Sequence, residues 1–306
     1  MNTTPSFTHT LRQRWQAADS MLCVGLDPDP ARIPAHLGTG PEAIDRFCRD
    51  IIAATADTVC AFKPQIAYFA AQGAEDVLAG LITHIHAEHP GIPVILDAKR
   101  GDIGSTARQY GVEAFDRFKA DALTLSPFMG FDSIEPYFEW AGRGLILLCR
   151  TSNPGGNDLQ ALSVLPAGDA TGTPSGAPSP RHSASDTASS TQPEKLYEHL
   201  ARLAAGPWNV NGELGLVVGA TFPDELARVR TLAPRLPLLV PGVGAQGGDV
   251  NATVRAGLDA DGYGLVINSS RAILYAGQST DFADQVRKAA VATRDAIRAA
   301  RDAARA

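Results

Sequence analysis

The sequence predicts a (β/α)8 barrel, because eight short apolar segments alternate with longer amphipathic ones along its 306 residues. The short segments are rich in β-branched residues and lack polar alternation, as is typical of parallel strands that helices cover on both faces. A doubly wound open sheet is the alternative. No GxGxxG motif follows the first strand, so the pattern does not indicate the dinucleotide site of that fold.

The predicted elements follow the chain in order. Each strand is an apolar run, and together the strands cover residues 21–25, 60–65, 93–99, 122–126, 144–149, 215–220, 237–241 and 264–268. The helices have amphipathic spacing and cover residues 7–18, 41–58, the interval up to His89, 106–118, a short stretch near 133–140, 194–205, 223–232 and 281–305. The N-terminal helix should close the bottom of the barrel, and the C-terminal helix should keep one face in solvent.

Residues 166–193 interrupt this alternation after the fifth strand. They are mostly Ala, Gly, Pro, Ser and Thr, and without a periodic apolar face they cannot offset the entropy of ordering them. The alternating pattern then resumes in the same style. The sequence therefore predicts one barrel domain over residues 1–306, with a disordered, low-complexity surface insertion at 166–193.

The bulk composition limits the class of protein. A net charge of −6 and an isoelectric point near 5.6 argue against a general nucleic-acid binder. No apolar run approaches the ~20 residues that span a bilayer, and residues 1–10 lack the features of a secretory signal. The four cysteines lie far apart, as is typical of buried reduced thiols. We expect a soluble cytoplasmic protein with no membrane or nucleic-acid partner.

The third predicted strand ends in a cluster of charges. Asp97, Lys99, Arg100 and Asp102 follow its apolar residues within six positions. Asp97 and Lys99 are two positions apart, so they should share a face at the C-terminal end of the strand. A surface ion-pair cluster is the alternative, but parallel α/β proteins place their chemistry at this end of their strands.

Other predicted strands also end in polar residues or glycine, and in a barrel these ends converge on one mouth. They supply Asp27, Lys63, Ser152, the glycine-rich loop 241–248 and the run Ser269-Ser270-Arg271. Taken singly, Lys63 could extend to solvent and Asp27 could form a turn before Pro28. Their recurrence at the same end of successive strands indicates a functional site.

The loops after the last two strands predict a phosphate site. Glycines let backbone N–H groups approach an anion, Arg271 offers a bidentate guanidinium, and Gln246 offers a neutral donor that could fold over a ligand. Barrel proteins often bind phosphate at these two loops. A flexible hinge beside a surface arginine is the alternative. We expect a phosphorylated substrate.

Beside this phosphate, Lys63, Asp97, Lys99 and Asp102 should form an array of alternating charge, in which the carboxylates keep the lysines protonated. A charged lysine is a poor Schiff-base nucleophile but a good proton donor and carbanion stabiliser. No metal-ligand spacing of His, Cys or Glu accompanies the array. The histidines that we expect to be solvated, in a helix at the far end, are His84, His86 and His89.

These motifs resemble those of the orotidine 5′-phosphate decarboxylase family, in its longer bacterial branch. The likeness runs from about Leu22 to Tyr275, and the 166–193 insertion is not part of the family pattern. It rests on Asp97-x-Lys99-x-x-Asp102-Ile103-x-x-Thr106, Lys63-Pro64-Gln65, Ser126-Pro127-Phe128-Met129-Gly130, the 241–249 loop and Arg271.

The resemblance implies a barrel homodimer that converts orotidine 5′-monophosphate to UMP and CO2, the last step of de novo pyrimidine nucleotide synthesis, without metal or organic cofactor. It implies that Lys99 stabilises and protonates the carbanion at C6, that Asp97 lies by the substrate carboxylate, and that Lys63 ties Asp97 to the ribose hydroxyls. Asp102 and Thr106 would reach into the partner's site. The other implied substrate contacts are Asp27 at the ribose, Ser152 at the pyrimidine amide, Gln246 and Arg271 at the phosphate, and Ile103 and Ser270, the last at a position where shorter relatives carry Gly.

Three alternatives remain. A related enzyme that decarboxylates a β-keto sugar phosphate through a metal-bound enediolate would need an acidic ligand near the second strand, where this chain has Lys63. A Schiff-base aldolase would need a neutral lysine. A phosphate-ligand binding protein without catalysis would have no reason to keep the four charged residues together.

Overall fold

Eight parallel strands form the centre of the structure, a computed structural model that describes residues 6–165, 192–243 and 248–306. In chain order they are β1 (Leu22–Leu26), β2 (Ala61–Pro64), β3 (Ile95–Arg100), β4 (Ala122–Leu125), β5 (Gly144–Arg150), β6 (Leu214–Val218), β7 (Leu238–Pro241) and β8 (Leu265–Ser269). All eight predicted strands are present. A buried apolar run must still give its backbone N–H and C=O groups hydrogen-bond partners, and a parallel sheet provides them.

The strands close into a barrel in which spatial order follows chain order. β1 pairs in parallel with both β2 and β8, in the latter case with Cys23 opposite Asn268. β2 and β3 are joined by two isolated bridges, one of which sets Gln65 opposite Asp97. The predicted (β/α)8 fold is therefore confirmed, and the open-sheet alternative is wrong.

Helices surround the barrel. Within the described residues they are α1 (Phe7–Ala18), α2 (Pro41–Thr55), α3 (Ile66–Ala70), α4 (Glu75–Glu88), α5 (Gly104–Gly111), α6 (Leu196–Ala205), α7 (Pro223–Leu232), α8 (Val250–Gly257), α9 (Arg271–Leu274) and α10 (Phe282–Arg305). Inside these same ranges, none of the helices is both long and apolar enough to cross a membrane.

Several helices depart from the predicted bounds. The helix expected over 41–58 ends at Thr55, and the interval up to His89 holds two helices rather than one. The helix expected over 106–118 begins at Gly104 and continues after α5 as a π-helix, Val112–Arg117. The stretch near 133–140 forms 3₁₀ turns. The patterns do not predict α8 or α9, because such short helices leave little periodicity to detect.

The bottom of the barrel is closed as predicted. Phe7, Leu11 and Trp15 of α1 are buried, and the Phe7 ring packs so closely on Gly144 that a Cβ there would lie 2.2 Å from Phe7 Cδ1. The buried guanidinium of Arg230 donates to the backbone carbonyls of Gly257, Ala233, Pro234, Leu236 and Gly264. These contacts fix the end of the barrel opposite the predicted mouth.

The histidines of the α4 region are less solvated than expected. All three are half-buried, and His89 lies beyond the end of α4 rather than within it. The Nε2 atom of His86 lies 2.8 Å from the Asp121 carboxylate, which also accepts from Arg143. The His86–Asp121–Arg143 contacts lie at the end of the barrel where β3 and β4 begin, away from the predicted mouth.

Two parts of the predicted scheme fall outside the described residues. They are the insertion, except for Gln192 and Pro193, and loop residues 244–247, which include Gln246. A small antiparallel hairpin pairs Ser163–Val164 with Glu194–Lys195 and brings together the two ends of chain that flank residues 166–191. This pairing corrects the predicted start of α6 from residue 194 to Leu196.

Candidate active site

A cavity of about 610 Å³ opens at the C-terminal ends of the strands. Its lining brings together residues that the sequence analysis singled out, among them Asp27, Lys63, Asp97, Lys99, Ser152, Ser270 and Arg271. The parallel strands deliver these side chains to one place, because each residue lies at or just beyond the carboxyl end of its strand.

The centre of the cavity is a carboxylate held between two ammonium groups. Lys63 Nζ donates to Asp97 Oδ2 at 2.8 Å, and Lys99 Nζ donates to Asp97 Oδ1 at 2.6 Å. The Asp27 carboxylate lies 4.0 Å from the same Lys63 nitrogen. Lys63 and Asp97 are buried, with 4% and 8% of their surface exposed, whereas the Lys99 side chain is 46% exposed and faces the opening.

The charges of this network stabilise one another. Burial alone would lower the pKa of Lys63, but the carboxylates of Asp97 and Asp27 outweigh it and raise that pKa well above its usual value. Burial would raise the pKa of Asp97, but Lys63 and Lys99 outweigh it and hold that pKa well below its usual range. At neutral pH Lys63 is therefore an ammonium and Asp97 a carboxylate.

Asp102 does not join this network within the chain, so the predicted four-residue array is wrong for a single subunit. Its Oδ1 atom accepts from the backbone N–H of Ile103 at 2.8 Å. No ion pair of Asp102 occurs among the residues that the structure describes. β3 ends at Arg100, and the turn that follows does not line the cavity; Ile103 and Thr106 are exposed.

Ser152 lies in a loop that is organised around Arg150. The Arg150 guanidinium is fully buried; it donates to Asn157 Oδ1 at 2.5 Å, pairs with the Glu225 carboxylate and stacks over the ring of Phe222. Gly219 at the end of β6 allows the loop to pack closely, because a Cβ there would lie 2.7 Å from the backbone nitrogen of Ser152. The position of Ser152 is thus set by a buried cation that sequence reasoning did not identify.

The predicted phosphate side of the cavity is formed by the residues after β8. Arg271 is exposed at the start of α9 and lines the cavity. Ser270 has φ of −110° and ψ of −83°, so its backbone lies outside the left-handed region that favours glycine. Its Oγ faces Gly25 of β1, where a Cβ would lie only 2.0 Å away.

Among the polar residues of the cavity that sequence reasoning missed, Thr124 lies on β4 and Asn268 on β8. The hydroxyl of Thr124 donates to Asp97 Oδ1 at 2.9 Å. Within the described residues, the buried atoms Asn268 Oδ1 and Asp27 Oδ1 have no hydrogen-bond partner, which suits acceptors that face the hydroxyls of a ligand. In the sequence, the only indication of these two residues was that each is a polar residue within an otherwise apolar strand segment.

A closed barrel with an ammonium–carboxylate–ammonium cluster at its mouth places the chain in the class of (β/α)8-barrel proteins with a charged site at the C-terminal ends of the strands. A family model described as "Orotidine 5'-phosphate decarboxylase / HUMPS family" matches residues 20–171. Among curated proteins, the orotidine 5′-phosphate decarboxylase of Azoarcus sp. (strain BH72) is 61% identical over 295 residues, covering 96% of this chain and 99% of that protein. The protein of that name from Aromatoleum aromaticum is 61% identical over 291 residues, covering 95% and 98%.

Solved structures agree with these relatives. The OMP decarboxylase of Leishmania donovani superposes with a TM-score of 0.76 at 40% identity, covering 97% of this chain and 99% of that one. The Leishmania donovani UMP synthase gives the same TM-score and identity, covering 96% of this chain and 57% of that one. The chain belongs to the orotidine 5′-phosphate decarboxylase family of carboxy-lyases.

Proposed function

We propose that this chain decarboxylates orotidine 5′-monophosphate to UMP and CO2, the last step of de novo pyrimidine nucleotide synthesis, by a direct, metal-free route. The observation that carries the proposal is the Lys63–Asp97–Lys99 network, in which the more exposed ammonium faces the cavity. Loss of CO2 leaves an electron pair at C6 with no π-system to receive it. A preorganised ammonium is the main group able to stabilise that charge.

In this mechanism the C6–carboxylate bond breaks, its electron pair stays on C6, and CO2 leaves. Lys99 Nζ then gives a proton to C6, and solvent returns the proton to the lysine. Asp97 lies beside the substrate carboxylate, and Lys63 keeps Asp97 ionised and reaches the ribose hydroxyls. Because Lys99 is half-exposed, substrate binding would desolvate its charge and strengthen its attraction to the carbanion.

Remote groups would bind the rest of the substrate. Asp27 accepts from a ribose hydroxyl, Ser152 contacts the pyrimidine amide, and Arg271 with Gln246 binds the phosphate. Ser270 lies beside this phosphate contact. Binding energy from the phosphate can be expressed at the transition state if the Gln246 loop closes over it.

We further propose that the enzyme is a homodimer, in which Asp102, Ile103 and Thr106 complete the partner's site. These residues do not line the cavity of their own chain, and Phe128 and Met129 are exposed apolar side chains that a subunit interface would cover. The barrel is proposed to be a single domain over residues 1–306 with the insertion at 166–193. We place the enzyme in the cytoplasm, because its four cysteines are buried free thiols.

The test is the absorbance change when EDTA-treated protein meets orotidine 5′-monophosphate, run beside Lys99→Ala. We expect turnover by the wild type and its collapse in the variant. No turnover from a folded, dimeric wild type would refute the assignment, and turnover restored only by added magnesium would refute the metal-free route.

A mixing experiment tests the shared site. Lys99→Ala and Asp102→Asn homodimers should each be inactive, but after subunit exchange the mixed dimers hold one intact site. An equimolar mixture should regain about a quarter of wild-type activity, because half of its dimers are mixed and each has one site restored. A mixture that stays inactive after proven exchange would refute the role of Asp102 across the interface.

A further inference from the structure

Thr124 is hydrogen-bonded to Asp97 and Lys99, two of the three charged residues at the centre of the cavity. It is buried in β4, with 1% of its surface exposed, and its hydroxyl donates to Asp97 Oδ1 at 2.9 Å. The same oxygen accepts from the backbone N–H of Ala98 at 3.0 Å and of Lys99 at 2.9 Å. One hydroxyl thus uses its donor and both of its acceptor positions on this part of β3.

The backbone of β3 explains why such a group is needed. Opposite β4, Leu96 pairs with Leu123 and Arg100 pairs with Leu125, so the β3 residues between them form a bulge that faces Thr124. A bulge removes backbone N–H groups from the ladder, and buried N–H groups need another acceptor. The Thr124 hydroxyl replaces the missing carbonyl.

The bulge also fixes the conformation of Lys99. This residue has φ of +49°, in the left-handed region that non-glycine residues adopt only when surrounding contacts hold them there. Its N–H bond to Thr124 is such a contact. The bond from Thr124 to Asp97 Oδ1 reaches the same oxygen that binds Lys99 Nζ, and so fixes the orientation of the carboxylate between the two lysines.

We propose that Thr124 is a positioning residue for the decarboxylation: its hydroxyl holds the β3 bulge and aims the Lys99 ammonium and the Asp97 carboxylate at the reacting carbon. This inference rests on the proposed function. Thr124 does not take part in proton transfer. A serine at position 124 would keep the hydroxyl and its hydrogen bonds, and should therefore support the same activity.

The experiment compares Thr124→Val, which keeps the shape but removes the hydroxyl, with Thr124→Ser, which keeps the hydroxyl. Thr55→Val is the matched control, because the buried Thr55 hydroxyl donates to Ile51 O at 2.7 Å at the end of α2, away from the mouth. We expect Thr124→Val to lower kcat about 10- to 100-fold with KM changed less than about threefold, since it removes hydrogen bonds to charged and backbone groups. Thr124→Ser and Thr55→Val should stay near wild type.

Several outcomes of this comparison would contradict the role proposed for Thr124 or the function on which it rests. A wild-type kcat in folded Thr124→Val, or an equal loss of kcat in Thr124→Ser, would overturn the inference, the latter because the methyl group rather than the hydroxyl would then be responsible. If Thr124→Val does not fold, Thr124→Ala must show the same loss of kcat, and an active Thr124→Ala would overturn the inference. A wild type without turnover would instead refute the proposed function.

Discussion

Lys63→Met should destabilise the fold by much more than the loss of a surface charge. Lys63 is buried and 2.8 Å from Asp97, and methionine fills nearly the same space without the charge. Removing one partner of a buried ion pair leaves the other charge uncompensated, at a cost of about 3–5 kcal/mol. Because Lys99 still contacts Asp97 at 2.6 Å, we expect the low end of that range, about 3 kcal/mol.

The assay is urea denaturation at pH 7 of wild type, Lys63→Met, Asp97→Asn and the double variant. The double variant carries neither charge, so its loss of stability should be smaller than the sum of the two single losses by about 2 kcal/mol. Lys288→Met, at an exposed position of α10, is the control and should unfold like the wild type. Simple additivity, or a wild-type midpoint for Lys63→Met, would refute the reasoning.

Three further predictions concern pH, the insertion and the Ser152 loop. Lys63 and Lys99 outweigh burial and hold the pKa of Asp97 below its usual value, so ionised Asp97 stabilises the fold above about pH 4 and this contribution is lost as pH falls further. The difference in unfolding free energy between wild type and Asp97→Asn should therefore shrink below about pH 4. A constant difference would contradict this. Replacing residues 166–191 by a short Gly-Ser turn should leave kcat/KM within about twofold, since the flanking hairpin already brings the ends together; a folded dimer without activity would show that the insertion is needed. Arg150→Met should raise KM for orotidine 5′-monophosphate by about tenfold, because the loop loses its bonds to a buried cation; an unchanged KM would show that Ser152 is held by other contacts.

The strands were predictable because their physical signal is local. A buried parallel strand needs apolar residues on both faces, and runs such as Gly144–Arg150 have no equally good alternative conformation. The short helix α8 was not predictable in the same way. It has eight residues and depends on Asp249, whose side chain accepts from the backbone N–H of Ala252, and on packing against its neighbours.

The site was predictable only as far as it follows from strand ends. Lys63 and Asp97 meet because adjacent parallel strands carry them to the same end of the barrel; Lys63 lies two positions before Gln65, the residue paired with Asp97, and so on the same face of its strand. Asp102 lies outside the network of its own chain, because the path of the turn beyond a strand end is not set by the strand; its place in the partner's site stays a prediction. Thr124 went unnoticed because a threonine within a strand is ordinary; its role follows from the bulge opposite, which no pattern in β4 reveals.

The Lys63–Asp97 pair lies where the barrel closes, and this links stability to catalysis. β2 and β3 share two isolated bridges rather than a continuous ladder, and one of them pairs Gln65 with Asp97 itself. The ion pair crosses the same junction at 2.8 Å. A buried charge pair is a poor way to stabilise a sheet, since apolar packing of equal volume is often as good or better. The presence of the Lys63–Asp97 pair at this junction is explained if the reaction needs its charges. The ionic contact then also joins β2 to β3, where backbone pairing is limited to two bridges.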